Sequence, residues 1–503
     1  MVDYLRKRPM LISAVGCVIS AVCGFYSLKA LCLIFTLSLI FLSLAFFKKQ
    51  FSFVFVWLLV AVMCVCSFAE GKKAERIGAL AGSEVEVVLS FDSTTYKSES
   101  IYNSTFEVLV DGKLKKGSKI SLWHEPLNFS GGEIINATVS LRKIDDDYKA
   151  QNFSNEIYIS GEIEDFSRVE VKDNVLEKVY KIRNYIAKIL YKNMSKDSAA
   201  TMCALVFGDK SYLSDEFYGN VKSAGVAHVM VVSGLHLSVI VLLVLKLTEK
   251  FIYNPYLRGF IMFCTVVIMC AVCGFTNSIL RAGITYIIMA LALVLKRPYS
   301  AENALGCAVT FVLLSSPFTV FSVAFQLSVL STLGILAVAL PVYNNFKIEK
   351  KIPKYIVTNT LISLSALLLT LPVTVYIYGY ISNMSVITNL LISFPVTVIL
   401  SATVVVVVIS LVLPFISSVA LGIIDYGVKY VNLVINYMGS RSFATTRLPE
   451  WVAFVAVLVI LVVFHLLITC KKRRDMLKLK EMNEKIIKEG GNRKKWQLFL
   501  KRP

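Results

Sequence analysis

Long apolar runs recur along this chain. A helix needs about 20 apolar residues to cross about 30 Å of hydrocarbon. Runs of that kind fall at roughly 11–28, 29–47 and 51–69, then 226–246, 256–275, 276–295, 301–316, 318–340, 355–378, 385–413, 416–438 and 451–470. The spacing predicts about twelve spans, with Pro372, Pro395 and Pro414 interrupting some of them. Of 503 residues, 56% are apolar and only 17% charged, and the mean hydropathy is +0.67. Soluble domains carry about a quarter charged residues. The composition therefore excludes a string of soluble domains, a disordered chain, a collagen-like fibre and a small disulfide scaffold. The fold class expected is a polytopic α-helical membrane protein with one small extracytoplasmic β-barrel domain, OB-like.

The net charge is +19, but it is unevenly spread. Residues 471–503 hold 13 Lys and Arg against 4 Asp and Glu, whereas residues 70–172 hold 13 against 18. The sizeable soluble segment is acidic, so a simple basic-surface argument for nucleic acid fails. Lys and Arg gather in cytoplasmic loops. Arg6, Lys7 and Arg8 place the N-terminus inside, Lys48 and Lys49 return the chain inside, and Lys471 to Arg474 place the C-terminus inside. Residues 70–172 then lie outside. The first apolar run resembles a signal peptide behind its basic residues, but no small-residue cleavage site follows, so it is expected to stay as an anchor. Almost all of the 11 cysteines sit in apolar runs, including Cys270 and Cys273, and none falls in 70–172. They are expected to pack as small hydrophobes, with no disulfide framework and no metal site.

Within 80–172 the pattern changes to alternation. Val85, Val87, Leu89 and Phe91 share one strand face, and similar short runs follow at 106–110, 119–123, 134–141 and 157–163. Asp111-Gly112 and Gly131-Gly132 mark turns. Five or six short strands so close together suggest a small barrel. Tyr96, Tyr102, Phe106 and Trp123 could stack on bases, with core packing as the simpler role. Residues 173–196 read as an amphipathic helix, with Val175, Val179, Ile182, Ile186 and Ile189 on one stripe. Such a helix either lies in the membrane interface or packs as an ordinary surface helix.

The stretch Ser223-Ala-Gly-Val-Ala-His228-Val-Met-Val-Val-Ser233-Gly234-Leu-His236, with Gly208-Asp209 before it, places polar groups at the head of an apolar run. Polar groups at membrane depth need partners or water. On a continuous helix Ser233 and His236 lie about 60° apart, on one face. Three chemistries stay open on the residues alone. A serine hydrolase would use Ser233 with a histidine base, although the G-x-S-x-G elbow is absent because residue 231 is Val. A metal site would need a third ligand beside the histidines, from Asp209, Asp215 or Glu216, and H-E-x-x-H is absent. The third option is structural or pore-lining.

This pattern resembles the signature of the ComEC-type competence proteins, inner-membrane channels of bacterial DNA uptake. Matching features follow in order: Arg281-Ala282, Lys296-Arg297, Asn303-Ala304, Ser316-Pro317, Phe325-Gln326-Leu327-Ser328, Gly334, Leu340-Pro341, Leu371-Pro372, Asn389 and Pro395. The resemblance covers about 198–410 by motif and 1–197 by architecture. It divides the chain into N-terminal transmembrane helices (1–69), an extracytoplasmic OB-like barrel (70–172), an amphipathic linker (173–197), the channel domain (198–470) and a basic cytoplasmic tail (471–503). It implies a multi-pass protein of the bacterial inner membrane that imports single-stranded DNA during transformation.

Many members carry a further metallo-β-lactamase-like domain with a His-rich metal motif. With His124, His228, His236 and His465 as its only histidines, the chain is expected to be the channel portion alone, with strand degradation left to a separate nuclease. No G-x-x-x-x-G-K-[ST] loop is present. The resemblance implies a cytosolic helicase-like ATPase and an external DNA receptor as partners, besides the strand and the lipid bilayer. Asp209, His228, Ser233, Gly234, His236, Arg281 and Gln326 are expected to line or shape the DNA path. No catalytic residue and no cofactor are expected. The rival functions are a membrane hydrolase using Ser233 with His236, and a transporter of another anionic polymer or solute. Asp425 and Lys429, at i and i+4, could neutralise each other.

Overall fold

The computed structural model describes residues 8–466 except 48–50, 98–100, 127–128, 130–132, 170–174, 211, 231–233, 275–276, 344–349, 411–412, 461 and 464–465. Three helices open the chain: α1 (Pro9–Tyr26), α2 (Leu28–Phe47) and α3 (Phe51–Gly78). Small residues let them approach closely. A Cβ on Gly16 would come within 2.5 Å of Val60 Cγ2, and one on Gly24 within 2.6 Å of Ser67 Cβ. Lipid offers no hydrophobic drive between helices, so such close backbone packing is what associates them.

The barrel comprises β1 (Glu84–Lys97), β2 (Tyr102–Val108), β3 (Lys119–His124), β4 (Ile134–Arg142), the short helix α4 (Asp146–Ser154) and β5 (Ile157–Arg168). It is closed, in the order β1-β2-β3-β5-β4. β3 and β5 run parallel, while the other neighbours are antiparallel. The alternation read from the sequence fills its interior: Val85, Val87, Leu89 and Phe91 are all buried, as are Phe106, Leu122 and Ile135. Gly161 is required where β5 crosses β4, since a Cβ there would meet the Ser140 carbonyl oxygen at 2.5 Å.

His124 ends β3 inside this core, its Nε2 paired with Ser104 Oγ at 2.9 Å and its Nδ1 with the Glu125 carbonyl at 2.6 Å. Burial pushes the imidazole below its usual range, against a weaker upward pull from the Glu125 carbonyl. An unfolded histidine takes a proton near pH 6.5. Between that value and the lower folded value the unfolded chain holds more protons, so barrel stability falls as the pH drops below about 6.5. The slope is at most about 1.4 kcal/mol per pH unit for one site. Thermal melts followed through Trp123 fluorescence, with the other tryptophans changed to Phe, should shift downward from pH 7.5 to 5.5. A His124→Gln chain should lose that slope. A wild-type midpoint that stays flat over this range would contradict the assignment.

Beyond the barrel come α5 (Val175–Asn193), α6 (Lys196–Phe207), α7 (Asp215–Ser223), α8 (Ala227–Met230), α9 (Gly234–Phe251), α10 (Pro255–Val272), α11 (Asn277–Val294) and α12 (Ala301–Ser315). A tight turn at Pro317–Phe321 leads into α13 (Val323–Gly334), whose helical path runs on to Tyr343. Then follow α14 (Lys351–Tyr378), β6 (Tyr380–Ser382), α15 (Ser385–Ser410), α16 (Phe415–Gly439) and β7 (Thr445–Arg447), which pairs with β6. A last apolar helix, α17, covers Trp451–Ile460.

Eight helices among the described residues are long and apolar enough to cross a membrane, and 279–294, 301–315 and 451–460 are shorter apolar helices. α9, expected as a span, is 18 residues long but carries Lys246, Glu249 and Lys250 in its last turns. Large apolar side chains such as Leu33, Phe263, Phe394 and Leu433 point outward. In water such a surface would be untenable, and in a bilayer it faces lipid.

The barrel is fastened to this bundle by rings. Phe153 of α4 lies 5.9 Å from Phe318, and Phe25 of α1 lies 5.5 Å from Phe318 and 4.6 Å from Phe321. The Tyr158 hydroxyl of β5 donates to Glu70 Oε1 of α3, and Lys73 pairs with the same carboxylate. α11 and α12 are joined at 295–300, so the barrel docks at the end of the bundle where α11 begins and α12 finishes.

Candidate functional site

At that end five elements, α8, α9, α11, α13 and α15, bring polar groups together. α8 carries His228, and Gly234 heads the described part of α9. Ser233 itself lies outside the described residues. His228 hydrogen-bonds to the Asn389 side chain of α15 and to the Gly225 backbone. It is exposed in the structure, although Val229 and Met230 beside it are buried. His236 is buried at 1% exposure, within electrostatic range of His228.

Arg281, in the second turn of α11, is 6% exposed. Its Nε donates to Ser328 Oγ of α13 at 2.9 Å. Its Nη2 packs so close to α9 that a Cβ on Gly234 would stand 3.1 Å away. Gly234, having no side chain, therefore leaves room for a guanidinium. Tyr286, lower on α11, hydrogen-bonds to Ser238 of α9. An intramembrane Arg costs about 2.5–3.5 kcal/mol by insertion scales, which is why it sits inside the bundle beside polar groups.

Two of the sequence-predicted residues sit elsewhere. Asp209 follows Gly208, which closes α6 with φ +76°, and its carboxylate faces Arg183 of α5 at 3.7 Å. The Arg183 guanidinium also lies over the Phe207 ring, 5.7 Å from its centroid. Asp209 thus holds the amphipathic helix to the bundle. Gln326 turns back on its own segment, its Nε2 donating to the Val320 carbonyl at 2.8 Å. It locks the turn before α13 and so helps to place Ser328.

Sequence reasoning missed Asn389 as a partner of His228, and it underread α16. Asp425, Lys429, Asn432, Asn436 and Gly439 recur at alternating steps of four and three, a seam along one helix face. Asp425 pairs with Lys429 at 2.7 Å, and it also accepts from Ser195 N at 3.1 Å and Ser195 Oγ at 2.8 Å. Thr201 donates to Asn432 at 3.0 Å, and Asn220 to Asn436 at 3.1 Å. The seam anchors α6 and α7, which flank the polar cluster. Its three-four spacing was the signal available in the sequence.

The Competence protein family matches residues 205–474, which contain Asp209, His228, Ser233, Gly234, His236, Arg281, Gln326 and Asn389. The chain belongs to the Competence protein family. It is similar to "ComE operon protein 3" of Bacillus subtilis (strain 168), with 22% identity over 245 residues, 49% of this chain and 31% of that protein. The chain therefore aligns with less than a third of that relative's length. No solved structure matches it. Within this competence-family region His228, His236, Arg281, Ser328 and Asn389 gather at one end of apolar helices, the end that bears the docked barrel.

Proposed function

We propose that the chain is a channel of the bacterial inner membrane that admits one strand of DNA into the cytoplasm during natural transformation. The observation that carries this reading is the exposed His228, tied to Asn389 and within electrostatic range of buried His236, at the end of the bundle where buried Arg281 meets Gly234 and Ser328. Each nucleotide carries a phosphate charge that hydrocarbon does not admit, so a strand needs a wet, polar path. A sparse cationic lining suits conduction, because a dense one would hold the strand fast. Arg281, His228, His236 and Gly234, together with Ser233, shape this path. Gln326 and Asp209 support it from outside.

In this reading the chain does no covalent chemistry. The driving force comes from a cytosolic helicase-like ATPase, an external receptor delivers the DNA, and a separate nuclease removes the other strand. The barrel end lies outside the membrane and both termini lie in the cytoplasm, as the basic segments require. We read the barrel as OB-like, since five strands close with two non-sequential neighbour pairs, β3 beside β5 and β1 beside β4.

Labelled duplex DNA given to a deletion strain tests the function. Surface-bound label should remain while nuclease-resistant label is lost, and the gene in trans should restore it. Unchanged nuclease-resistant uptake in the deletion strain would refute the channel.

A further inference from the structure

The end of the bundle that bears the barrel also bears rings and cations that the path itself does not use. Short helix α7 packs there against the last turn of α16, where a Cβ on Gly439 would collide with the Asn220 backbone. It also touches the β6–β7 ribbon, where Ser382 Oγ donates to the Ser223 carbonyl at 2.7 Å. Three elements thus meet side by side. Lys222 Nζ stands 4.5 Å from the centroid of the Tyr218 ring, and Lys210 Nζ donates to the Tyr218 hydroxyl at 3.0 Å. Tyr378 and Tyr380 have ring centroids 6.1 Å apart, and both lie within electrostatic range of Tyr218. The Arg441 guanidinium lies 4.1 Å from the centroid of the Tyr437 ring. Tyr378 is 49% and Tyr437 56% exposed. Lys222 and Arg441 are exposed as well.

We propose that Tyr218, Lys222, Tyr378, Tyr380, Tyr437 and Arg441 form a stacking platform that receives single-stranded DNA ahead of His228. The proposal rests on the channel reading and adds a binding site to it. Proteins that hold single strands without sequence preference combine cations for the backbone with aromatic faces for successive bases. This patch has both. Its position adds a second argument. Gly225 follows Lys222 by three positions. Its backbone binds His228, and it packs so tightly on Ser382 and Ser385 that a Cβ there would clash with both. The platform therefore runs into the wall of the path without a gap in the chain.

Tyrosines also anchor membrane proteins at the lipid headgroups. A headgroup belt encircles a bundle, whereas Tyr218, Tyr378 and Tyr380 draw together from α7, the end of α14 and the ribbon, and the Tyr437–Arg441 pair sits at the end of α16 that packs on α7. Asp215 and Glu216, in the first turn of α7, sit at its N-terminus, where acids suit the helix dipole.

The full chain in zwitterionic nanodiscs, titrated against a fluorescein-labelled oligothymidylate of about 20 nucleotides, reads the platform by anisotropy. The Tyr378→Ala/Tyr380→Ala double variant should bind about tenfold more weakly, and the Tyr378→Phe/Tyr380→Phe pair within about twofold of wild type, because the ring face is kept. Lys222→Ala/Arg441→Ala should flatten the salt dependence by about 0.7 for each phosphate no longer neutralised. A blunt duplex of the same length should respond less to the alanine pair of Tyr378 and Tyr380.

A tyrosine-to-alanine pair that binds the oligonucleotide as wild type does overturns the platform, and so does one that weakens duplex and single strand equally. A pair that changes only thermal stability in anionic nanodiscs assigns the rings to lipid, which also overturns it. If the wild-type chain binds no oligonucleotide while the deletion strain still fails to import DNA, the platform falls and the channel stands. Normal import by the deletion strain removes both.

Discussion

Arg281→Ala is expected to abolish most uptake of nuclease-resistant DNA while leaving the protein folded and surface binding intact. Its guanidinium is 6% exposed and reaches Ser328 through Nε. Removing a buried cation without leaving its opposite charge stranded relieves desolvation, so protein levels should hold or rise. What disappears is the one described guanidinium that links α9, α11 and α13 at the polar cluster. A reduction of about tenfold or more is expected, the factor that about 1.4 kcal/mol of forfeited stabilisation produces. Arg281→Lys should recover only part of it, because a lysine offers a point charge without the Nε donor that Ser328 accepts. His228→Ala, acting at the Asn389 side of the cluster, should reduce uptake in the same assay. Wild-type import by both alanine variants, at wild-type protein levels, would remove these residues from the path.

Gly306→Leu is expected to act on folding instead. α12 meets α1 along a stripe spaced by four. Arg8 pairs with Glu302 at 2.9 Å, and Ser13 Oγ with Thr310 Oγ1 at 2.7 Å. Gly306 stands between them, where a Cβ would run into the Met10 carbonyl group and the Leu11 nitrogen. Those are backbone atoms, which cannot swing aside as a side-chain tip can. Overpacking usually costs about 1–3 kcal/mol, and collision with backbone belongs at the upper end. The variant should accumulate poorly in membranes and melt several degrees lower in detergent. Gly306→Ala should be intermediate. Undiminished yield and melting temperature in Gly306→Leu would show that α1 and α12 can separate freely.

Much of the fold was legible because membranes and barrels impose simple periodicities. The apolar runs marked most of the long helices, though among the described residues eight rather than twelve are long and apolar enough to span and the run at 226–246 corresponds to α9 at Gly234–Phe251, and alternation marked all five barrel strands and inward residues such as Val85 to Phe91. α4 was missed because Asp146 to Ser154 is short and polar, with only Phe153 and Ser154 buried. The β6–β7 ribbon was missed because three-residue strands carry no period. For the site, the sequence named the unusual residues but not their neighbours. His228 and Asn389 are far apart in the chain, and only the packing of the bundle joins them. Asp209 and Gln326 were conspicuous for the same reason as His228, as polar groups near apolar runs. Their partners, Arg183 and the Val320 carbonyl, make them braces. An isolated sequence does not distinguish a brace from a lining residue, because both satisfy the same demand for a hydrogen bond in a dry place.

The ring stack that seats the barrel has a mechanical corollary. Phe318 and Phe321 touch α1 and α4 on one side, and on the other they lead directly into α13, where Ser328 grips Arg281. Fewer than two helical turns separate Val323 from Ser328. A sideways load on the barrel is therefore delivered through a short stiff lever to the guanidinium, and the fulcrum is a proline-led turn pinned by Gln326.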